Sequence, residues 1–190
     1  MQKKYTYDER FENIDFTLKE FPLGDYEQCH FINCNFNGVD ISNCNFSDCI
    51  FKGCNLSVAK INKTILQNVE FNACKMIGFN LETCNSFALK VKFINCILNE
   101  SSFYQSPLSK TYFKSCIMHN IDLSFADLSN SFLENCDLKD SIFDQTILEK
   151  ANLTTAYNFN INPTENKVIN ASFSKENLHG LLNQFKIKIQ

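Results

Sequence analysis

A large apolar residue recurs at every fifth position from Phe11 to Leu81 and, after a phase slip of two, from Phe93 to Leu153, giving twenty-eight anchors without a miss. A helix repeats its face about every 3.6 residues and a strand about every 2, so neither keeps one face inward over such a run. The repeat is an architecture of its own, in which each short unit buries surface only by stacking on its neighbours. With five Gly and three Pro in 190 residues, the chain also lacks the turn residues of a hairpin-rich sandwich.

Two residues before most anchors stands a second inward position, held by Cys, Ser, Thr, Ala or Val, with Phe79 and Ile121 as bulky exceptions. All ten cysteines fall in this phase. Side chains that point the same way along a column spread their donors over an axis, whereas zinc and iron–sulfur centres need donors that converge. Parallel Cβ vectors also suit a disulfide badly, because its torsion is close to a right angle. Ten buried, reduced thiols are therefore expected, in a reducing, cytoplasmic setting. Residues 1–11 carry no signal-like apolar stretch, and no apolar run is long enough to span a bilayer, so neither export nor membrane insertion is expected.

The triplets Ala126-Asp127-Leu128 and Ala151-Asn152-Leu153 carry a recognisable unit, and Asn or Asp also precedes the anchor at Asp15, Asp25, Asn35, Asp40, Asn45, Asn55, Asn80, Asp122 and Asp137. The chain resembles the pentapeptide-repeat family, whose unit is a small residue, Asn or Asp, Leu or Phe, and two variable residues. The resemblance covers about residues 9–155. It implies an all-β fold, a right-handed quadrilateral β-helix with one pentapeptide per face and four faces per coil. Residues twenty apart should then stack. Phe11, Phe31, Phe51 and Phe71 form one column, which Phe93 and Phe113 extend if the slip is a two-residue bulge within residues 82–87, ahead of a weak anchor at Ala88. Leu108, Leu128 and Leu148 form a second column, and Cys34, Cys54 and Cys74 a third. Twenty-eight anchors over four faces give about seven coils.

The expected division is an N-terminal segment over residues 1–8, the solenoid over 9–162, and a C-terminal cap and dimerisation helix over 163–190, with Pro163 ending the periodic region. Ser174 can cap a helix running to about Phe185. Its Leu178, Leu181, Leu182 and Phe185 share one face, and Ile187 and Ile189 follow in an alternating tail. One apolar stripe is enough to cover the last coil. The same six residues are the candidate contacts of a homodimer, since this ending resembles in layout that of Qnr-like quinolone-resistance pentapeptide proteins.

Catalytic chemistry is not expected. The chain has no Gly-rich phosphate loop, nucleophile elbow or paired-carboxylate motif, and His30, His119 and His179 stand apart from any partner constellation. No catalytic residue, cofactor site or metal centre is read. A net charge of -3 gives no global basic field for nucleic acid. Charge is nonetheless uneven: residues 1–49 balance at -5, 50–119 at +5, 120–149 at -6 and 150–190 at +3. The third block holds Asp122, Asp127, Glu134, Asp137, Asp140, Asp144 and Glu149 against Lys139 alone, and these seven acids are the candidate partner-binding residues. The Qnr-like resemblance implies a dimeric rod that imitates duplex DNA and binds a type II topoisomerase, DNA gyrase above all, with reduced fluoroquinolone susceptibility as the associated trait. The alternative is a rigid interaction scaffold for an unrelated protein, favoured by the basic stretch with Lys52, Lys60, Lys63, Lys75, Lys90, Lys92, Lys110 and Lys114.

Overall fold

The structure, a computed structural model, describes residues 4–188. Thirteen short strands follow in chain order: β1 (Lys4–Tyr7), β2 (Arg10–Glu12), β3 (Gly24–Glu27), β4 (His30–Ile32), β5 (Asn45–Ser47), β6 (Ile50–Lys52), β7 (Ile65–Gln67), β8 (Val69–Asn72), β9 (Val91–Ile94), β10 (Tyr112–Lys114), β11 (Phe132–Glu134), β12 (Asn152–Leu153) and β13 (Ser172–Phe173). All pair in parallel, in a four-stranded sheet ordered β1-β3-β5-β7 and a nine-stranded sheet ordered β13-β12-β11-β10-β9-β8-β6-β4-β2. The other two faces are joined by isolated parallel bridges, such as Asp15 to Asn35 to Asn55 to Lys75 and Ser102 to Asp122 to Ile142. The result is a parallel β-solenoid of about eight turns with one short C-terminal helix.

Each coil turns its corners by a backbone device that the sequence encodes. Two residues beyond an anchor the chain enters the left-handed region, as at Asn33 (φ 52°), Asp48 (φ 53°), Gly53 (φ 65°) and Asn130 (φ 56°). Gly, Asn and Asp tolerate that conformation best. The residue just before the anchor braces the same corner with its side chain. Asp40 Oδ1 accepts the Ser42 N–H at 2.9 Å, Asn55 Oδ1 accepts that of Ser57 at 3.1 Å, and Asn152 Oδ1 accepts that of Thr154 at 3.0 Å. Such local bonds are why Asx residues favour turns over regular elements. Two structural demands at each corner thus account for the abundance of Asn.

The anchors fill the interior. Every one from Phe16 onward is buried, and Phe11, on the open first coil, is half-buried against the same core. The aromatic column is continuous: successive rings from Phe11 through Phe31, Phe51, Phe71 and Phe93 to Phe113 lie 4.9, 4.6, 5.3, 5.3 and 5.2 Å apart in stacked pairs. Inward hydroxyls are matched to the coil below, with Thr64 Oγ1 donating to the Ile41 carbonyl at 2.8 Å and Thr146 Oγ1 to that of Leu123 at 2.9 Å.

Three features depart from expectation. The stack is longer at both ends than residues 9–162, since β1 pairs with β3 and β13 pairs with β12 beyond Pro163. Pro163 therefore does not end the stack, and Ala156, Phe159 and Ile161 supply a further inward set. The slip also lies slightly later than residues 82–87. Asn85 N–H still bonds the Thr64 carbonyl at 2.9 Å, whereas Lys90 N–H bonds that of Leu66 at 2.9 Å and Phe71 pairs with Phe93, so the two extra residues are absorbed between Asn85 and Lys90. Ala88 is exposed and left-handed (φ 61°), and the larger Leu89 packs inward in its place.

The cap is the third. In place of one helix over residues 174–185 there is a turn, a single helical turn α1 (His179–Leu182) and a 3-10 turn Asn183–Phe185. Ser174 does brace the start, its Oγ accepting the Asn177 N–H at 3.3 Å. Asn177 then donates its side-chain amide to the Ala156 carbonyl at 3.0 Å, which ties the segment to the last coil rather than to a helix axis. Gly180 crosses directly over Phe159, where an added Cβ would stand 2.4 Å from the Phe159 carbonyl oxygen, and its own carbonyl accepts the Ile161 N–H at 2.9 Å.

Candidate interaction surface

With the interior filled by anchors, function rests on the outward positions. Among the seven acids of residues 120–149, four are engaged by the fold. Asp122 and Asp127 brace corners by accepting the Ser124 and Ser129 N–H groups, each at 2.9 Å. Glu134 pairs with Lys114 Nζ at 3.0 Å and accepts the Tyr112 hydroxyl, and these two bonds hold its carboxyl below the usual carboxylate range. Asp137 meets His119 Nε2 at 2.8 Å and the Asn158 amide at 2.8 Å. Partial burial works against the Asp137 charge, but those hydrogen bonds outweigh it and lower its pKa. Asp140 and Asp144 are exposed and Glu149 half-buried, with no side-chain partner among the described residues.

The acids share their coils with exposed apolar side chains, one of them, Phe125, at a variable position of the unit and the others at the position before the anchor that Asn or Asp fills elsewhere. Phe125 is 39% exposed, Phe132 49%, Ile142 52% and Tyr157 42%. Phe125 packs edge-on against Tyr104 with ring centroids 5.5 Å apart, and Phe132 lies beside Tyr112 at 6.3 Å. The exposed aromatic groups among them are of the kind enriched where proteins meet proteins, and they have no counterpart in a polyphosphate chain.

Farther along the rod, the slip opens a groove of about 750 Å³ lined by Gln67, Leu89, Lys90, Lys92, Lys110 and Tyr112 among others. Lys92 there bonds Glu70 at 3.1 Å and lies over the Tyr112 ring at 5.7 Å. At the cap, Leu181 packs against the core and Leu182 is half-buried, while Leu178, Phe185 and Ile187 are exposed. The structure therefore divides the six candidate dimer residues between an inward and an outward set, and Ile189 lies outside the described residues. All ten cysteines are free thiols, nine of them buried, and burial pushes the Cys49 thiol up to about 12. No group of three or more potential metal-binding side chains converges among the described residues, and none of their helices is long and apolar enough to cross a membrane.

Comparison with known proteins gives the same architecture. A model of the pentapeptide repeat region matches residues 24–90, and one of pentapeptide repeats in eight copies matches 116–154, together more than half of the chain. No curated protein matches it significantly. Among solved structures, a trypsin-treated form of QnrB1, a plasmid-mediated fluoroquinolone resistance protein, aligns over 99% of this chain and 98% of its own with a TM-score of 0.65 at 16% identity. Full-length QnrB1 aligns over 97% of this chain and 100% of its own, with a TM-score of 0.56 at 15% identity. HetL, a pentapeptide repeat protein involved in heterocyst differentiation regulation from the cyanobacterium Nostoc sp. strain PCC 7120, covers 90% of this chain and 86% of its own, with a TM-score of 0.69 at 17% identity. These likenesses concern the fold, and with the repeat matches they place the chain in the pentapeptide-repeat family.

Proposed function

We propose that the protein is a non-enzymatic, cytoplasmic binding rod that occupies the DNA site of a type II topoisomerase, DNA gyrase in the first instance. The observation that carries this reading is the end-to-end likeness to QnrB1, a fluoroquinolone resistance protein, combined with an acidic, aromatic-bearing stretch near one end. Asp140, Asp144 and Glu149 supply charge that the fold does not consume, and Phe125, Phe132 and Ile142 are exposed apolar side chains on the same stretch of coils. Their combination suits a protein saddle built for duplex DNA, where charge steers encounter and apolar contact holds it. A homodimer joined through the exposed Leu178, Phe185 and Ile187 would set two such acidic stretches about one junction.

A gyrase supercoiling assay with purified protein tests the proposal. Inhibition at micromolar protein that weakens as salt rises is expected, because exposed charges are screened within about 10 Å at 0.1 M. Unchanged supercoiling across that range would transfer the case to a scaffold for an unrelated protein, a reading to which the Lys90, Lys92 and Lys110 groove lends support.

A further inference from the structure

The corner that leads from the shorter sheet to the longer one carries a ladder of backbone bonds, and the ladder breaks at one place. Gln28, Asp48, Lys110, Asn130 and Lys150 are left-handed residues of this corner, and they donate their N–H groups to the carbonyls of Ser47, Gln67, Ser129, Glu149 and Ile169 on the next coil at 2.8 to 3.0 Å. Asn68 (φ 55°) stands in the same column, yet its N–H makes no hydrogen bond among the described residues. The register pairs Val69 with Val91, but the left-handed residue of the slip coil is Ala88, which comes too early for that column. The Ala88 N–H likewise lacks an acceptor among the described residues. Both residues line the groove at the slip, together with Lys90 and Lys110.

The side chains around these open donors leave positive charge unspent. Lys90 and Lys110 are exposed and have no ion pair among the described residues. The two acids of the lining are already engaged, since Asp48 accepts the Asn68 amide at 2.5 Å and Glu70 accepts Lys92 Nζ at 3.1 Å. Backbone N–H groups left open at turns make concavities that bind anions. Lysine meets phosphate as a point charge, without the planar match that a carboxylate finds in arginine. The donors belong to three successive coils, which at a strand spacing of about 4.8 Å spread them over roughly 10 Å of the rod axis. Linked phosphates lying along the axis can offer oxygens to all of them, whereas a single phosphate is too short. Leu89 and Tyr112 complete the wall with apolar surface, and the groove of about 750 Å³ is of small-molecule size.

We propose that this groove is a binding site for a small diphosphate, free or as an organic ester, whose oxygens accept from the Asn68 and Ala88 N–H groups and from the ammonium groups of Lys90 and Lys110. The slip then has a use: the two residues that break the repeat expose donors which every regular coil consumes. The site is separate from the acidic stretch and from the cap, so it stands or falls independently of gyrase binding.

The test is titration of the isotope-labelled protein with inorganic pyrophosphate at constant ionic strength, followed through its amide resonances and by calorimetry. Saturable binding is expected, with the Asn68 and Ala88 resonances moving furthest and that of Asn130, already bonded to Glu149, staying in place. Lys90→Gln with Lys110→Gln should weaken binding about tenfold or more at an unchanged melting temperature. Lys60→Gln with Lys63→Gln, an equal loss of charge at exposed positions outside the groove, should leave it unaltered. Adenosine diphosphate is the second probe: tighter binding than pyrophosphate assigns the site to an ester, weaker binding to the free ion. Succinate binding as tightly as pyrophosphate, resonance changes spread evenly over the lysine-bearing coils, equal losses in the two double variants, or no saturable change at millimolar pyrophosphate would each overturn the proposal.

Discussion

At each corner, two residues beyond an anchor, the side chain must accept a left-handed backbone, and most corners supply Asn, Asp, Gly or a flexible chain. Val58 (φ 47°) does not: it is β-branched and 55% exposed, so it carries the conformational cost with little burial in return. Left-handed geometry costs an ordinary residue about 1–2 kcal/mol, which Asn largely escapes by hydrogen bonding locally. Val58→Asn is therefore expected to raise stability by about 1 kcal/mol in a urea or thermal melt, whereas the same replacement at the buried anchor Leu56 should unfold the coil. The Asp137 carboxyl is a second residue-level case. Its folded pKa is lowered, so the folded state holds the proton less tightly than the unfolded chain. Its contribution is fully present above the unfolded value of about 3.9 and disappears as pH falls through the lower folded value. Urea midpoints of the parent and Asp137→Asn should differ most above the unfolded value of about 3.9 and converge as pH falls below it through the lower folded value. A constant gap across that range would show that the His119 and Asn158 contacts do not favour the charged form.

At the scale of elements, the cap is where local pattern and structure part company. Leu178, Leu181, Leu182 and Phe185 do read as a helical stripe, yet only the turn His179–Leu182 is α-helical, because Gly180 is spent on a close crossing over Phe159 and Asn177 on the Ala156 carbonyl. Gly180→Ala places a methyl group against backbone. It is expected to cost about 1–3 kcal/mol by overpacking and to make the C-terminal tail more susceptible to protease before the coils melt. An unaltered cleavage pattern and melting curve would mean that the cap is not held by that crossing. The coils, by contrast, were legible almost residue by residue. An inward side chain with no alternative partner must obey the period, so the anchors and the cysteine phase could be placed from spacing, and the six-ring column from the four-faced coil that the family resemblance implies. What spacing could not show was which of Ala88 and Leu89 turns inward at the slip, since that choice depends on volume rather than period. Nor could it show that Asp122 and Asp127 are held as corner braces, because a residue that stabilises a turn and one that meets a partner look alike in sequence.

For the whole molecule, nine strands in the longer sheet set the length of the rod. At a strand spacing of about 4.8 Å its eight intervals span roughly 38 Å, and an end-to-end dimer would be about twice that. The surface along that rod alternates in sign, and within the acidic stretch only Asp140, Asp144 and Glu149 are left unengaged among the described residues. Partner binding through charge should therefore depend on those three far more than on Asp122 or Asp127, whose bracing role Asn can fill as it does at Asn55 and Asn152. The most direct measurement is a competition experiment in which immobilised DNA gyrase is loaded with the protein and challenged with duplex DNA. Occupation of the DNA site predicts that duplex displaces the protein in proportion to its concentration, and that the variant Asp140→Asn, Asp144→Asn, Glu149→Gln binds about tenfold or more weakly, a loss of roughly 1.4 kcal/mol, at an unchanged melting temperature. Binding that duplex DNA leaves untouched, or no binding at all, would contradict the account.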